Sequence, residues 1–212
     1  PTQGWEDAPS TGAAFVVSDI ALTGAGIGAH IAEHGNSLVR SSVLGGELLL
    51  LAELAGLDYE ITLTDVATVD GMMVPKTKAV VRYDNQTVLG TVSDRYCVVQ
   101  NRQAFGFLDA VVADGGLRYH TAGALGRGEK IFLLAKLPGH LRVKQTEDVV
   151  DKYLLLSNSH NGSSALRVLF TPVRVVCQNT LSMALRQGSG QGVSIRHNGD
   201  LTAKIRDAQR VL

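Results

Sequence analysis

The stretch SNSHNGSS, residues 157–164, places one histidine, two asparagines and four serines between the apolar runs YLLL and ALRVLF. These side chains could do chemistry. Ser159 and His160, with Asp148 or Asp151, are the raw material of a hydroxyl nucleophile and its base, and Cys177 with His160 could form a thiol pair. No G-x-S-x-G elbow is present, and adjacent residues such as Ser159 and His160 point to opposite sides of an extended chain. The stretch therefore reads either as a hairpin turn, with His160 bonded within its own loop, or as a polar site.

Two further motifs carry chemistry by type. HIAEH, residues 30–34, has the H-x-x-E-H spacing of one zinc-peptidase group, in which two histidines four apart chelate the ion and the glutamate acts as base. Its flanks are Gly28 and Gly35, no third ligand is evident downstream, and the segment predicts no stoichiometric zinc. TGAGIG, residues 23–28, resembles a dinucleotide loop, but its glycines are one or two residues too close for G-x-G-x-x-G. No metal and no cofactor are expected.

The basic residues of the second half form another group. Arg142 and Lys144 stand two apart on LRVK and share a strand face. Lys152 opens DKYLLL, Arg167 lies in ALRVLF and Arg174 in VRVVC. A sheet face carrying these cations could follow a phosphate backbone, with Tyr119, Tyr153 and Phe170 to stack bases. An ordinary solvated sheet face is the other reading.

The elements that must position these groups follow from periodicity. Residues 1–44 are rich in Gly, Ala and Ser and read as an arm with one short strand in AFVVSDIAL. GELLLLAELAG is a short helix with Gly56 as its left-handed C-terminal residue. DYEITLTDVATV alternates as a strand and turns at Asp70-Gly71 into MMVPKTKAVVRYD, where Pro75 marks an edge strand or a bulge. TVLGTVS and RYCVVQ follow as strands, then a helix over RQAFGFLDAVV with Asn101 suited to cap it. EKIFLLAKL turns at Pro138-Gly139 into LRVKQ. DKYLLLS, ALRVLF and VRVVCQ are strands, NTLSMALRQ a short helix, and LTAKIRDAQRVL a last amphipathic helix. Strands followed by helices define an α+β protein, mainly antiparallel, with strand-strand-strand-helix units. The division is a glycine-rich arm over 1–44 and an α+β domain over 45–212.

Composition sets the outer bounds. With 212 residues, 45% hydrophobic and 19% charged, the chain can bury an ample core and is not of a disordered type. No apolar run reaches ~20 residues and no basic-then-apolar leader opens the chain, so the expectation is a cytoplasmic protein with no membrane partner. Cys97 and Cys177 lie in apolar runs and read as buried reduced thiols. Net charge is zero but uneven. Residues 1–76 carry two basic and ten acidic residues, a net of −8, and residues 77–212 carry eighteen and ten, a net of +8. Such asymmetry indicates either a polyanion-binding segment or two parts that neutralise each other by packing.

VRYDNQTVLGTVSDRYCVVQNRQAFGFLDAVV, the stretch from TAGALGRGEKIFLLAKLPG to DKYLLLSNSHNGSSALRVLFTPVRVVCQNTLSMAL, and IRHNGDLTAKIRDAQRVL together resemble the phage/plasmid-like protein family, from about Leu57 to Leu212. The strings YLLLSNSHNGSSA and TPVRVVCQNTL carry the resemblance most specifically. It implies a prophage or plasmid setting without an established reaction, and a shared site built from Ser159, His160, Asn161, Gly162, Arg174, Gln178 and Asn179. The expected function is single-stranded DNA or other nucleic-acid binding or annealing, as a possible homo-oligomer, through Arg142, Lys144, Lys152, His160, Asn161, Arg167, Arg174 and Asn179. The rivals are an enzyme sited at His160, Asn161 and Asn179 and a non-catalytic interaction module. A non-catalytic role is favoured, because no acidic cluster of the nuclease type occurs.

Overall fold

The computed structural model describes residues 17–18, 48, 52–53, 55–115, 117–142, 149–175, 177–188 and 192–210. TGAGIG, HIAEH, Lys144 and Asp148 lie outside the described residues, as does the arm over 1–44 except for one strand. That strand, β1 (Val17–Ser18), lies within AFVVSDIAL and pairs with β5.

The fold is α+β, built on two antiparallel sheets. The smaller has the order β2 (Ile61–Ala67), β3 (Met73–Arg82), β4 (Thr87–Ser93). The larger runs β1, β5 (Arg118–Leu125), β6 (Lys130–Arg142), β7 (Val149–Ser159), β8 (Leu166–Thr171), β9 (Gly192–Ile195). They are accompanied by α1 (Asn101–Gly115), α2 (Gln178–Gln187) and α3 (Leu201–Gln209).

The turn chemistry read from sequence recurs in the backbone. Leu48, Ala52 and Glu53 are helical, and Gly56 follows in the left-handed conformation at φ +62°. Its N–H donates to Glu53 O, and that of Leu57 to Ala52 O, so two orphan carbonyls are satisfied together. Gly71, at φ +81°, turns β2 into β3. Pro75 sits in the central strand of its sheet, so its missing N–H is accommodated by a bulge rather than an edge: pairing jumps from Ala67↔Met73 to Asp65↔Lys78. Pro138-Gly139 is likewise a bulge and not a turn. β6 runs through it, with pairing resuming two residues out of step at His140↔Asp151.

The larger sheet is covered on both faces, which follows from its sequence phase. Ile131, Leu133, Leu154, Leu156, Leu166 and Val168 enter one core cluster, together with Leu57, Tyr59, Ile61, Val80, Phe105 and Leu108. The alternate positions Phe132, Leu134, Tyr153 and Leu155 enter a second, closed by Leu181 and Ala184 of α2. IFLLA and YLLL are continuous apolar runs because both phases are buried. Among the described residues, two sequence-expected strands are absent. VRVVCQ is irregular over 173–175, and RYCVVQ forms no strand over 96–100. The second of these builds the site.

Candidate functional site

SNSHNGSS is the end of β7 and the connection to β8. The flanking runs pair antiparallel as expected, closing at Ser157↔Arg167. Gly162 takes the left-handed conformation at φ +74°, while Asn161 turns the chain through its side chain, Oδ1 accepting from Ser163 N at 3.1 Å and from Ser159 Oγ at 2.7 Å. The turn lies against β4 of the smaller sheet. A Cβ on Gly90 would stand 2.9 Å from Asn161 Cβ, and one on Gly162 would stand 3.1 Å from Val92 Cγ1.

His160 does not bond within its loop. It is fully buried, its Nε2 lies 2.8 Å from Asn101 Oδ1, and its ring meets Tyr59 edge-on at 6.0 Å. Its backbone N–H donates to Glu129 O at 2.8 Å. Asn101 is therefore not a helix cap. Gln100 caps α1: its carbonyl accepts from Ala104 N, while Gln103 Oε1 reaches back to its N–H at 3.0 Å. The Asn101 amide, released from that task, donates to Leu57 O at 2.9 Å and offers its oxygen to His160.

The segment 96–100 explains the rest. Its hydrogen bonds go to the β7 end, to the 196–200 turn and to Ile61 rather than to a neighbouring strand. Tyr96 Oη donates to Ser159 O at 3.1 Å, Cys97 O accepts from His197 Nδ1 at 3.1 Å, and Val99 O accepts from Asn158 Nδ2 at 3.4 Å. Gln100 clasps Ile61 at both its N–H and its C=O. The Tyr96 ring stacks on His197 at 4.8 Å. Tyr59, which donates to Gly128 O at 2.9 Å, holds the other end, with the Arg82 guanidinium 3.9 Å above its ring.

These contacts fix the tautomers. A carbonyl only accepts, so His197 Nδ1 carries the proton and, in the neutral ring, Nε2 is a bare lone pair. Asn101 donates its amide to Leu57, so its oxygen accepts from His160 Nε2–H, and His160 Nδ1 is likewise bare. Burial pulls the His160 imidazole down to about 3, and the nearby His197 acts in the same direction. Burial also lowers His197, against the opposing bond to Cys97 O. Both rings are neutral near pH 7. Burial pushes the Tyr59 phenol up to about 12, so it too stays neutral.

The residues expected to share a site do not all meet. Ser159, His160, Asn161 and Gly162 form one turn. Asn179 and Gln178 are exposed in the first turn of α2, which packs on the opposite face of the larger sheet. Arg174 is exposed beside Tyr153 on that second face. Nor do the cations share a face: Lys152 is in phase with Leu154, and Arg167 with Leu169, which belong to different cores. Lys152 is eight residues from His160, roughly 26 Å along the strand. Arg142 pairs with Val149 at the end of β6; its side chain and Lys144 lie outside the described residues. Sequence reading missed Tyr59 and Asn101 as partners of His160, and His197 as its neighbour. Only the polar residues flanking apolar runs, such as Asn101 after YCVVQ, hinted at them.

Fold and site define an α+β protein whose two sheets are joined at a buried, neutral, histidine-containing hydrogen-bond cluster. Residues 88–212 match the family described as a domain of unknown function (DUF932), and the chain belongs to that family. No curated protein and no solved structure matches the chain. Among the described residues no helix is long and apolar enough to cross a membrane.

Proposed function

We propose that the protein binds single-stranded nucleic acid electrostatically, in the mobile-element setting that the resemblance implies, through a cationic rim around the 196–200 turn. The observation that carries this is the placement of Arg95 and Arg196. The bond from Cys97 N to His197 O, 2.9 Å, holds their two segments side by side, and both residues are exposed. Neither makes an ion pair among the described residues. Lys204 Nζ joins them, lying 2.6 Å from Asn198 O, while the Asp200 carboxylate is engaged at Ala203 N. The +8 balance of residues 77–212 supports the same reading.

The test is fluorescence anisotropy of a labelled oligonucleotide across a salt series. Each phosphate contact contributes roughly −0.7 to the slope of log affinity against log salt, so three cations give about −2. Replacing Arg95 and Arg196 by Gln should flatten the slope by about 1.4. Replacing Lys152 and Arg167, on opposite faces of the covered sheet, should leave it unchanged. A parent protein that binds no oligonucleotide at low salt refutes the proposal, and so does a slope indifferent to the Arg95 and Arg196 changes. Light scattering in the same buffers tests self-association.

A further inference from the structure

The two edges of the smaller sheet are unlike. β4 is interrupted near its centre, where pairing shifts between Val80 and Val81, and the 161–162 turn lies against it. β2 is regular from Ile61 to Asp65 and has no strand on its outer side among the described residues. The ladder fixes which of its backbone groups face outward. Glu60 O accepts from Tyr83 N, so Glu60, Thr62 and Thr64 bond inward to β3, and Ile61, Leu63 and Asp65 turn their N–H and C=O groups away. Ile61 confirms this parity, because the Gln100 side chain takes both of its groups, at 2.9 and 2.7 Å. The outward groups of Leu63 and Asp65 have no partner among the described residues. Thr64 and Asp65 are exposed.

The side chains around this edge define what fits it. Val80 faces the core, so Ala79 and Val81, with their cross-strand neighbours Thr62, Thr64, Val88 and Thr91, form the outer face, which carries no charge. Asp65 lies on the core side and is neutralised by Lys78 at 2.6 Å. Among the described residues seven large apolar side chains are exposed, and five of them, Val69, Met72, Met73, Tyr83 and Val88, belong to this sheet and its turns. The occupant must therefore be an extended strand with an uncharged face, and β2 of a second copy has both properties. We propose that two copies of the chain pair β2 against β2, antiparallel, about a two-fold axis at Thr64. In that register Leu63 exchanges both backbone bonds with the partner's Asp65, and Asp65 with the partner's Leu63. All the open groups are satisfied, and Gln100 keeps Ile61. Neighbouring registers fail. An axis at Leu63 sets Asp65 against an Ile61 that Gln100 already holds, and an axis at Asp65 places two carboxylates directly opposite. The uncharged face continues across the joint, and the apolar hairpin tip of each copy passes beside the start of the other's β2. Each copy has one such edge, so the assembly closes as a dimer.

The test is sedimentation equilibrium of the full chain over a concentration series, in which the parent should approach twice the mass of one chain. Thr64→Lys sets two ammonium groups across the axis and should weaken self-association about fivefold or more. Thr91→Lys, exposed on the same face two strands away, should leave it unchanged. Thr64→Cys should cross-link under mild oxidation, because Cα atoms of a non-hydrogen-bonded pair stand about 4.5 Å apart, within disulfide range. Thr62→Cys, which faces the partner's Val66, should not. Hydrogen exchange of the parent needs no variant: the Leu63 and Asp65 amides should exchange more slowly as concentration rises. A parent that is monomeric throughout, or cross-linking equal at positions 62 and 64, would overturn the proposal. So would protection of the two amides at every concentration, which would place another segment of the same chain on the edge.

Discussion

Acid should unfold this protein through His160 before its carboxylates respond. The unfolded imidazole titrates near 6.5, whereas burial holds the folded one at about 3. A folded value below the unfolded one means that His160 contributes its full stability above pH 6.5. The contribution falls as pH drops below 6.5 and is exhausted near 3. Between pH 7.5 and 4.5 the unfolded chain takes up the proton and the folded protein does not. Two pH units at 1.36 kcal/mol each give a loss of about 3 kcal/mol. That is a large share of the roughly 5–15 kcal/mol available to a domain. His197, also lowered by burial, adds in the same direction. Asp84 and Glu129, lowered by their arginine partners and backbone N–H groups, give way mainly at lower pH, so the window above 4.5 isolates the histidines. The assay is urea unfolding of the protein, followed by far-UV circular dichroism at half-unit steps of pH. His160→Gln, which keeps an amide donor for Asn101, should lose about 3 kcal/mol less over the window. Parallel losses in parent and variant, or an NMR titration placing His160 near 6.5 in the folded protein, would refute the reasoning.

The remaining predictions concern the joint between the sheets. Asn101→Ala leaves Leu57 O and His160 Nε2–H unpaired in the core and should cost about 2–4 kcal/mol in urea unfolding, whereas Arg102→Ala, exposed one residue later, should cost under about 0.5. Gly90→Ala forces its Cβ to within 2.9 Å of Asn161 Cβ, so the urea midpoint should fall by an amount equivalent to about 1–3 kcal/mol. Gly162→Ala must hold φ +74° beside Val92 and should cost about 1–2 kcal/mol; unchanged stability there would show that the turn is not seated on β4.

Where local chemistry and burial agreed, the fold was legible in advance. Gly56 and Gly71 took the left-handed conformations their positions predicted, and YLLL and ALRVLF paired as strands around a polar turn. Missed elements had composition against them. β5 ends in Ala122, Gly123, Ala124 and Leu125, a stretch without the β-branched and aromatic side chains that announce a strand. β9 was hidden in a glycine-rich loop. RYCVVQ has a strand's composition, but it forms no strand over 96–100 and hydrogen bonds at Cys97 and Val99 go to His197 and Asn158, residues 100 and 59 positions away. No local pattern encodes such partners. The expected union of His160 with Asn179 failed for a related reason. Nearness of two polar strings along the chain says nothing about which side of a sheet each one reaches.

The family match begins at residue 88, within β4. The physical unit does not begin there. Leu57, Tyr59, Ile61 and Val80 belong to the same core cluster as Leu108, Leu156 and Val168. Leu57 O anchors Asn101, and Ile61 is clasped by Gln100. Cutting the chain at residue 88 would remove two of the three strands of the smaller sheet and leave the backbone of β4 unpaired along its inner edge. A row of open N–H and C=O groups is a template for pairing with another chain. A clone trimmed to the matched segment should therefore yield aggregate, and one beginning before Leu48, which retains Leu48, Ala52 and Ala55 on this core, should yield dispersed protein. The boundary useful for expression is a boundary of buried contacts, and it lies about forty residues upstream of the boundary of similarity.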